Sequence, residues 1–545
     1  MDVVDSPLGA RTRGVLAGDE MTELPPPYAL GLPPQFLSWR PGQEHALSLI
    51  LDAPTRFVAI NSPTGSGKSL CYMAAGALCG GRAVVLTANK NLMDQLYGDY
   101  QSLELVDVRG RGSYPCKALA PGGEWQHLGN GSGSCDDGPC HAGLPCSLKE
   151  IGCEAYDKIR TAKYADLVST NYALWMALHR YSQGLGEVDL LILDESHCAP
   201  DALADALKIS LSKWLCHTLD LHPIATGSPI QHWVQWASYH AAQIKGILDS
   251  MASQPITGKG LQYRKWLRQA EQVLWAMTQM DGVNWIEDPQ PDQIVFEILH
   301  PARYNNTLFQ GAGKVVLLSA TLTKKTLALL GIPPDEVTWW EAPSTFPVHA
   351  RRVTYVPTVK VDYRMTPAHE TLLAARVDQY LSARPARKGI IHTVSYSRAK
   401  KLHDRSAHKG RMRLHEGGDK ASEVIAAFRK SPHPDVLLSP AMDMGIDLPD
   451  DQCRFSIVLK LPFPSTQSRI VQARAALDPE YVPYLMCQRL EQSVGRDVRH
   501  QGDWSEHVIF DDNFRWAWGK YKHLLTKGFR EAVAWGKTLP GPYQP

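Results

Sequence analysis

A glycine-rich stretch, Ser62-Pro63-Thr64-Gly65-Ser66-Gly67-Lys68-Ser69, stands directly after the apolar run Phe57-Val58-Ala59-Ile60 and before a helix predicted to begin at Lys68. Such a loop works only where a buried strand delivers it to a helix N-terminus, because its backbone N–H groups must converge on one anion. It commits the chain to a parallel α/β sheet with helices on both faces. Further short apolar runs read as strands of that sheet: Ala83-Val84-Val85-Leu86, Leu167-Val168, Leu190-Leu191-Ile192-Leu193 and Val315-Val316-Leu317-Leu318. Gly65 and Gly67 let the backbone face phosphates, Lys68 reaches the β- and γ-phosphates, and Ser69 is placed to ligand Mg²⁺.

A second α/β series runs from about Val353 onward, with Gly389-Ile390-Ile391-His392, Val436-Leu437-Leu438, Phe455-Ser456-Ile457-Val458-Leu459 and His507-Val508-Ile509-Phe510 as its strands. The 545 residues allow several domains with large cores. Two α/β lobes with a cleft between them fit that length. The formal net charge is +1, which neither demands nor excludes a polyanionic partner, since a basic channel is easily balanced elsewhere. No apolar run approaches a membrane span, and the first twenty residues lack the apolar core of a secretory leader. A cytoplasmic protein is expected.

Asp194-Glu195-Ser196-His197 follows the apolar strand Leu190–Leu193. A carboxylate at the end of a buried strand facing a phosphate loop suits a Mg²⁺ partner: Asp194 would hold the metal and Glu195 polarise the attacking water. Nearer the C-terminus, Gln492, Arg496 and Arg499 stand at i, i+4 and i+7, one face of a predicted helix that can present two guanidinium groups to a phosphate on the other lobe. Taken alone, such a face is a solvated basic surface.

Five of the eleven cysteines fall in one window, Cys116, Cys135, Cys140, Cys146 and Cys153. In a reducing compartment clustered cysteines are metal ligands more often than disulfides. The surrounding Gly/Pro-rich stretch has too little apolar content to build a core unaided, so a staple is expected. Structural zinc sites space their cysteines more closely, as C-x2–4-C pairs, so zinc is the minor alternative and unliganded loop thiols the bland one.

In this order the motifs resemble the XPD/DinG group of superfamily 2 helicases, from about Phe36 to about Phe514. Arg40-Pro41-Gly42-Gln43 is similar to the group's adenine-sensing segment, with Gln43 as base reader, and Asp194 to His197 is similar to a DEAH box with Ser replacing Ala. Leu86 to Leu96 resembles motif Ia, Leu318-Ser319-Ala320-Thr321-Leu322 motif III, and Ile391 to Tyr396 motif IV. Ser439-Pro440 with Gly445-Ile446-Asp447-Leu448 resembles motif V, and Gln492 to Arg499 motif VI. Met444 stands where many relatives carry an acidic residue. The region around Cys116 resembles the start of the group's iron–sulfur domain and Cys153-Glu154-Ala155-Tyr156 its end.

The resemblance implies an α/β fold of two RecA-like parallel-sheet motor domains with an inserted iron–sulfur domain and a helical Arch-like insert. The expected division is a flexible lead-in at 1–34, motor domain 1 at 35–110, 159–199 and 313–348, a cluster domain at 111–158, a helical insert at 200–312, and motor domain 2 at 349–545. It implies an ATP-dependent DNA helicase, 5′→3′ in polarity, monomeric, acting on single-stranded and forked DNA and on RNA–DNA hybrids. A translocase that strips proteins or R-loops without processive unwinding is the alternative. The implied nucleotide contacts are Gln43, Thr64, Gly65, Ser66, Gly67, Lys68, Ser69, Asp194, Gly445 and Asp447. The implied catalytic groups are Lys68, Asp194, Glu195, His197, Gln492, Arg496 and Arg499. The implied cofactors are ATP, Mg²⁺ and a [4Fe–4S] cluster on Cys116, Cys140, Cys146 and Cys153, with Cys135 competing for the place of Cys140. Single-stranded DNA is expected to run across both lobes, with sequence-independent contacts near Thr87, Thr170, Thr393 and Ser439. Arg109, Arg111, Lys117 and Lys158 are candidate phosphate contacts. Trp233 and Trp236 read as core rather than as base-stacking groups.

Overall fold

The computed structural model describes residues 24–128, 133–251, 256–344, 346–414, 419–440, 448, 450–495, 498 and 502–544. Its strands in chain order begin with β1 (Phe57–Asn61), β2 (Ala83–Thr87), β3 (Val106–Asp107), β4 (Leu167–Asn171) and β5 (Val188–Asp194). Then come β6 (Ile209–Ser212), β7 (Trp285–Pro289), β8 (Gln293–Ile298), β9 (Ala312–Ser319) and β10 (Val337–Glu341). The remainder are β11 (Val353–Val359), β12 (Gly389–His392), β13 (Met412–Arg413), β14 (Val436–Ser439), β15 (Phe455–Val458), β16 (Glu506–Asp511) and β17 (Val533–Trp535).

Two seven-stranded parallel sheets result, in the orders β10-β1-β9-β5-β2-β4-β3 and β13-β14-β12-β15-β16-β11-β17. Both are RecA-like α/β domains, motors 1 and 2. Their strands read as unbroken apolar runs because successive side chains enter different cores. In motor 1, Phe57, Ala59, Leu191 and Leu193 pack on one face, while Val58, Ile60, Leu190 and Ile192 pack on the other. In motor 2, Ile391, Leu438 and Ile457 face one core, and Ile390 and Leu437 another.

The stretch 200–312 is not wholly helical. Beside two packed helices, Ile230–Ser250 and Gly258–Thr278, it contains the antiparallel sheet β6-β8-β7. The alternation in Gln293–Ile298 was the signal for a half-buried strand. Trp233 and Trp236 are buried; the Trp233 indole N–H donates to Glu287 at 3.0 Å and the Trp236 indole N–H to the His222 carbonyl at 2.7 Å. They are core residues, as their helical spacing suggested.

This insert leans on two neighbours. The helix Gly258–Thr278 packs on the cysteine-rich segment, where Leu261 joins Ala142 and Leu144 and Lys265 Nζ donates to the Asp137 carbonyl at 2.6 Å. On the other side, Arg474 of motor 2 donates to the Ile298 carbonyl at 2.7 Å.

Motor 2 is locked at its back by a buried charge cluster. The Arg384 guanidinium, with no solvent-exposed surface, donates to both Glu506 oxygens at 2.7–2.8 Å and lies 3.7 Å from the Tyr380 ring centre. It also donates to the carbonyls of Pro540 and Gly541, fastening the C-terminal segment. Removing one partner of such a pair strands the other charge away from water. Arg384→Ala is expected to destabilise the protein by about 3 kcal/mol, softened because Arg387 still reaches Glu506 at 2.7 Å. Denaturant unfolding checks this, and a loss under about 1 kcal/mol, the range of an exposed pair, contradicts it.

Candidate nucleotide site and thiol cavity

The P-loop stands where the sequence placed it, between β1 and the helix Lys68–Leu78. Gly65 and Gly67 have φ of +74° and +78°, the left-handed region glycine enters without strain. A Cβ on Gly67 would come within 2.4 Å of the Gln43 amide nitrogen. The Gln43 side chain is buried under the loop: Nε2 donates to the carbonyls of Ser66 and Gly67 at 3.1 and 3.0 Å, and Oε1 accepts from Arg40 N–H at 2.7 Å. Arg40 donates to the Gly65 carbonyl at 2.7 Å. In this structure Gln43 and Arg40 brace the loop, and Gln43 faces the loop rather than open space. Thr64 lines the cleft, Ser66 and Ser62 share a hydroxyl bond at 2.8 Å, Lys68 Nζ lies 3.4 Å from the Ser62 carbonyl, and Ser69 occupies the first helical turn.

Asp194 ends β5 and is buried, accepting from the Tyr72 hydroxyl at 3.0 Å and from Glu195 N–H at 2.9 Å. Burial, then the charge of Glu195, pushes its carboxyl up to about 6. Tyr72 lies four residues after Lys68 on the same helix face, a spacing visible in the sequence. Glu195 has φ +49°, a conformation costing a non-glycine residue about 1–2 kcal/mol. Burial would raise its carboxyl, but Lys68 and then His197 and Ser319 outweigh burial and hold it below the usual carboxylate range.

A hydrogen-bonded chain joins the motors. The Ser319 hydroxyl donates to Glu195 Oε2 at 3.3 Å, and His197 Nδ1 lies 2.7 Å from that hydroxyl. Gln492 Nε2 reaches both His197 Nε2 at 3.1 Å and Thr321 Oγ1 at 3.0 Å. The donors and acceptors are mutually consistent with a proton on His197 Nδ1, an assignment made from the network. Ser319 and Thr321 sit in the segment that resembled motif III, but nothing in the sequence showed that Ser319 bridges Glu195 and His197.

Gln492 lies in the last turn of the helix Tyr481–Val494. Arg496, Arg499, Gly445 and Asp447 fall outside the described residues. The cleft between the motors encloses about 500 Å³, with Thr64, Glu195 and Thr321 on one wall and Arg351, Gln492 and Phe529 on the other.

Beside Gln492, Glu491 is buried with both carboxylate oxygens on Thr526, one accepting its N–H at 2.8 Å and the other its hydroxyl at 2.7 Å. Burial pushes this carboxyl up to about 8, against the pull of the two Thr526 bonds. A carboxyl raised in the folded state stabilises fully below its unfolded value, and that contribution is lost as pH rises through about 8. Glu491→Gln keeps the shape and both bonds, since Thr526 Oγ1 can accept from the new amide. The variant is expected to melt a few degrees above the parent at pH 8.5 and to show a flatter melting profile from pH 5 to 8. Parallel pH profiles would contradict this.

All five clustered thiols line one small cavity in the cysteine-rich segment. An isolated antiparallel bridge, Pro115 with Ser134, sets Cys116 and Cys135 beside each other: Cys116 N–H donates to the Gly133 carbonyl at 2.8 Å, and Cys135 N–H to the Tyr114 carbonyl at 2.9 Å. Cys135 Sγ lies 3.8 Å from Cys153 Sγ. Cys140 and Cys146 are half-buried on the same cavity, and Cys153 caps the helix Glu154–Ala162. A Cβ on Gly138 would come within 2.9 Å of Cys116 Sγ and 3.7 Å of Cys140 Sγ, so the wall there is cut to glycine. None of the thiols is in a disulfide. Among the described residues, no three His, Cys, Asp or Glu side chains converge as they would on a single ion.

Several expected nucleic-acid contacts are otherwise engaged. Thr87, Thr170, Thr393 and Ser439 are buried, and the hydroxyls of the three threonines donate to main-chain carbonyls. Arg109 is tied to Asp94 and Asp107, each at 2.6 Å, and Arg111 lies 3.5 Å from Asp136. Lys117 is exposed and Lys158 half-buried. No helix among the described residues is long and apolar enough to cross a membrane.

Residues 377–532 match the family described as a helicase C-terminal domain, and residues 36–215 match the type III restriction enzyme res subunit family. The ATP-dependent DNA helicase DinG of Salmonella choleraesuis is 26% identical over 30% of this chain and 32% of its own length. The Fanconi anemia group J protein homolog of Gallus gallus is 27% identical over 16% of this chain and 8% of its own. The matched stretch thus spans about a third or less of each of these relatives. Among solved structures, an XPD helicase superposes with a TM-score of 0.58 at 15% identity, covering 89% of this chain and 98% of that one. Xpd4 of S. tokodaii gives 0.56 at 13% identity, covering 91% and 100%. The two parallel-sheet domains and the phosphate loop in their cleft define a two-motor, P-loop fold of the superfamily 2 type. Within that class, the two family matches and these relatives make the chain similar to the XPD/DinG-like helicases.

Proposed function

We propose that the chain is an ATP-dependent DNA helicase that translocates on single-stranded DNA in the 5′→3′ direction and parts a duplex or R-loop. The observation that carries this reading is the chain of bonds from Glu195 through Ser319 and His197 to Gln492. It gives motor 2 a direct sense of the hydrolytic carboxylate on motor 1, which is what coupling of ATP turnover to lobe motion needs.

In this mechanism the P-loop N–H groups and Lys68 hold the β- and γ-phosphates. Glu195, kept ionised by Lys68 and His197, orients the attacking water. Ser69 and Asp194 would hold Mg²⁺, which supplies charge to the phosphate oxygens; a buried carboxylate facing Lys68 is a donor that fits it. Gln492 keeps His197 in one tautomer, and Arg496 and Arg499 are the proposed guanidinium pair. Gly445 and Asp447 are proposed nucleotide contacts of motor 2.

The thiol cavity fits an iron–sulfur cluster: its donors are soft, they surround a shared space, and a glycine has been cut into the wall beside two of them. Bound there, a cluster would tie together a segment with little core of its own. The segment's place against the insert supports a wedge role at a fork.

The test is steady-state ATP turnover with and without single-stranded DNA, joined to strand displacement on 5′- and 3′-tailed duplexes. DNA-stimulated turnover with displacement of the 5′-tailed substrate is expected. Stimulated turnover without displacement on either duplex selects the stripping translocase, and no turnover at all ends the motor reading.

A further inference from the structure

Motor 2 holds a second cavity, of about 220 Å³, whose lining residues are distinct from those of the cleft between the motors. It opens where the strands of motor 2 end, between the loop that follows β11 and the helix Tyr396–Arg405 that follows β12. The nucleotide cleft instead takes Arg351 and Val353 at the start of β11. The two openings are thus a strand length apart, about 20 Å for seven residues.

Leu373, Leu402 and Leu459 floor the cavity, and its rim is polar: Asp362 accepts from Arg364, Glu370 accepts from Lys401, and Arg398 donates to the Thr393 carbonyl. Tyr363 stands at its mouth with 92% of its surface exposed. Beside it Arg364, its side chain 71% exposed, pairs with Asp362 at 3.2 Å and lies with its guanidinium 5.4 Å from the Tyr363 ring centre. Tyr396, also exposed, begins the helix whose Ser397 and Arg398 line the cavity. The loop between β12 and that helix carries Val394 at φ +64°, an unusual conformation for a β-branched residue.

Drug-sized ligands need cavities of roughly 300–1,000 Å³, so this one suits a flat fragment. A slot with an apolar floor and a polar rim, an exposed aromatic plate at its mouth and a largely exposed guanidinium beside it match one nucleobase on its backbone. The buried state of Thr393 and Ser439 points the same way, because strand contacts on this rim must come from its exposed groups.

We propose that this cavity is a nucleobase pocket: one base of the translocating single strand leaves the stack and inserts against Tyr363, with the adjoining phosphate near Arg364. The inference rests on the single-strand reading above and adds to it a base contact on motor 2. Every base offers a π-face, so the contact tolerates any sequence. It gives the motor a grip on bases that phosphate contacts alone do not supply.

The test compares binding, by fluorescence anisotropy, of oligo-dT and of an abasic sugar–phosphate strand of equal length. The proteins are the parent, Tyr363→Ala, and Ser397→Trp, which places an indole over the opening from an exposed position. The parent is expected to prefer oligo-dT by about tenfold or more, from stacking of the inserted base. Each variant is expected to lose most of that preference through weaker oligo-dT binding, with affinity for the abasic strand within about twofold of the parent. Variants that hold oligo-dT as tightly as the parent, or that weaken on both strands equally, overturn the pocket and leave the helicase reading in place. A parent that binds neither strand overturns the single-strand reading and the pocket with it.

Discussion

Glu195→Gln is expected to lower ATP turnover by about 10³-fold, the range assigned to a positioned general base, while nucleotide binding changes little. The structure separates these two effects. Glutamine has the shape of glutamate and can still accept from the Ser319 hydroxyl through its carbonyl oxygen. It cannot act as a base, and it removes the anion that Lys68 and His197 hold ionised. Lys68→Ala is expected to lose both binding and turnover, because that ammonium serves the phosphates and the carboxylate together. Gln492→Ala should fall between: it leaves the P-loop intact but frees the Nε2 side of His197, so DNA-stimulated turnover drops more than the unstimulated rate. Turnover by coupled phosphate release, with binding of a fluorescent nucleotide as the second reading, checks all three. A Glu195→Gln protein with unimpaired turnover would remove Glu195 from the chemistry.

The sheets were legible because parallel strands buried on both faces leave unbroken apolar runs. Phe57–Ile60, Leu190–Leu193 and Phe455–Val458 needed only composition and length to be found. The P-loop was legible for the opposite reason, since its glycines are required locally by the backbone. What stayed hidden were contacts made between elements distant in sequence. Tyr72 on Asp194, Arg40 on the P-loop carbonyl and Ser319 between Glu195 and His197 depend on how helices and strand ends meet. No spacing within one segment encodes that. Gln43 shows how residue type and position leave contact open: its amide donates to the P-loop carbonyls. The threonines at the strand ends show it again, because a small polar residue after a strand reads equally as an exposed contact and as an internal hydroxyl bonded to the neighbouring strand.

Cys116→Ser and Cys135→Ser are each expected to abolish iron incorporation, while one of Cys140→Ser, Cys146→Ser and Cys153→Ser retains it. A [4Fe–4S] cluster takes four thiolates and five thiols face this cavity, so one is surplus. The family resemblance made Cys135 the spare, competing for the place of Cys140. The backbone pairing through Pro115 and Ser134 instead fixes it beside Cys116, and its sulfur is buried and 3.8 Å from that of Cys153. Burial, then Cys153, pushes its thiol up to about 12, so cluster loading must draw a proton from it. The remaining three lie on the half-buried side of the cavity, where one neighbour can swing into another's place. The segment's own apolar core is small, and two of its six buried members are Cys116 and Cys135 themselves. Variants without iron should therefore become open to proteolysis between about residues 111 and 158 while both motors stay folded. Iron and zinc content, visible absorbance after anaerobic purification and limited proteolysis read this out independently of ATP turnover. A colourless, zinc-loaded parent would remove the cluster, and full iron in the Cys135→Ser protein would return Cys135 to the role of spare.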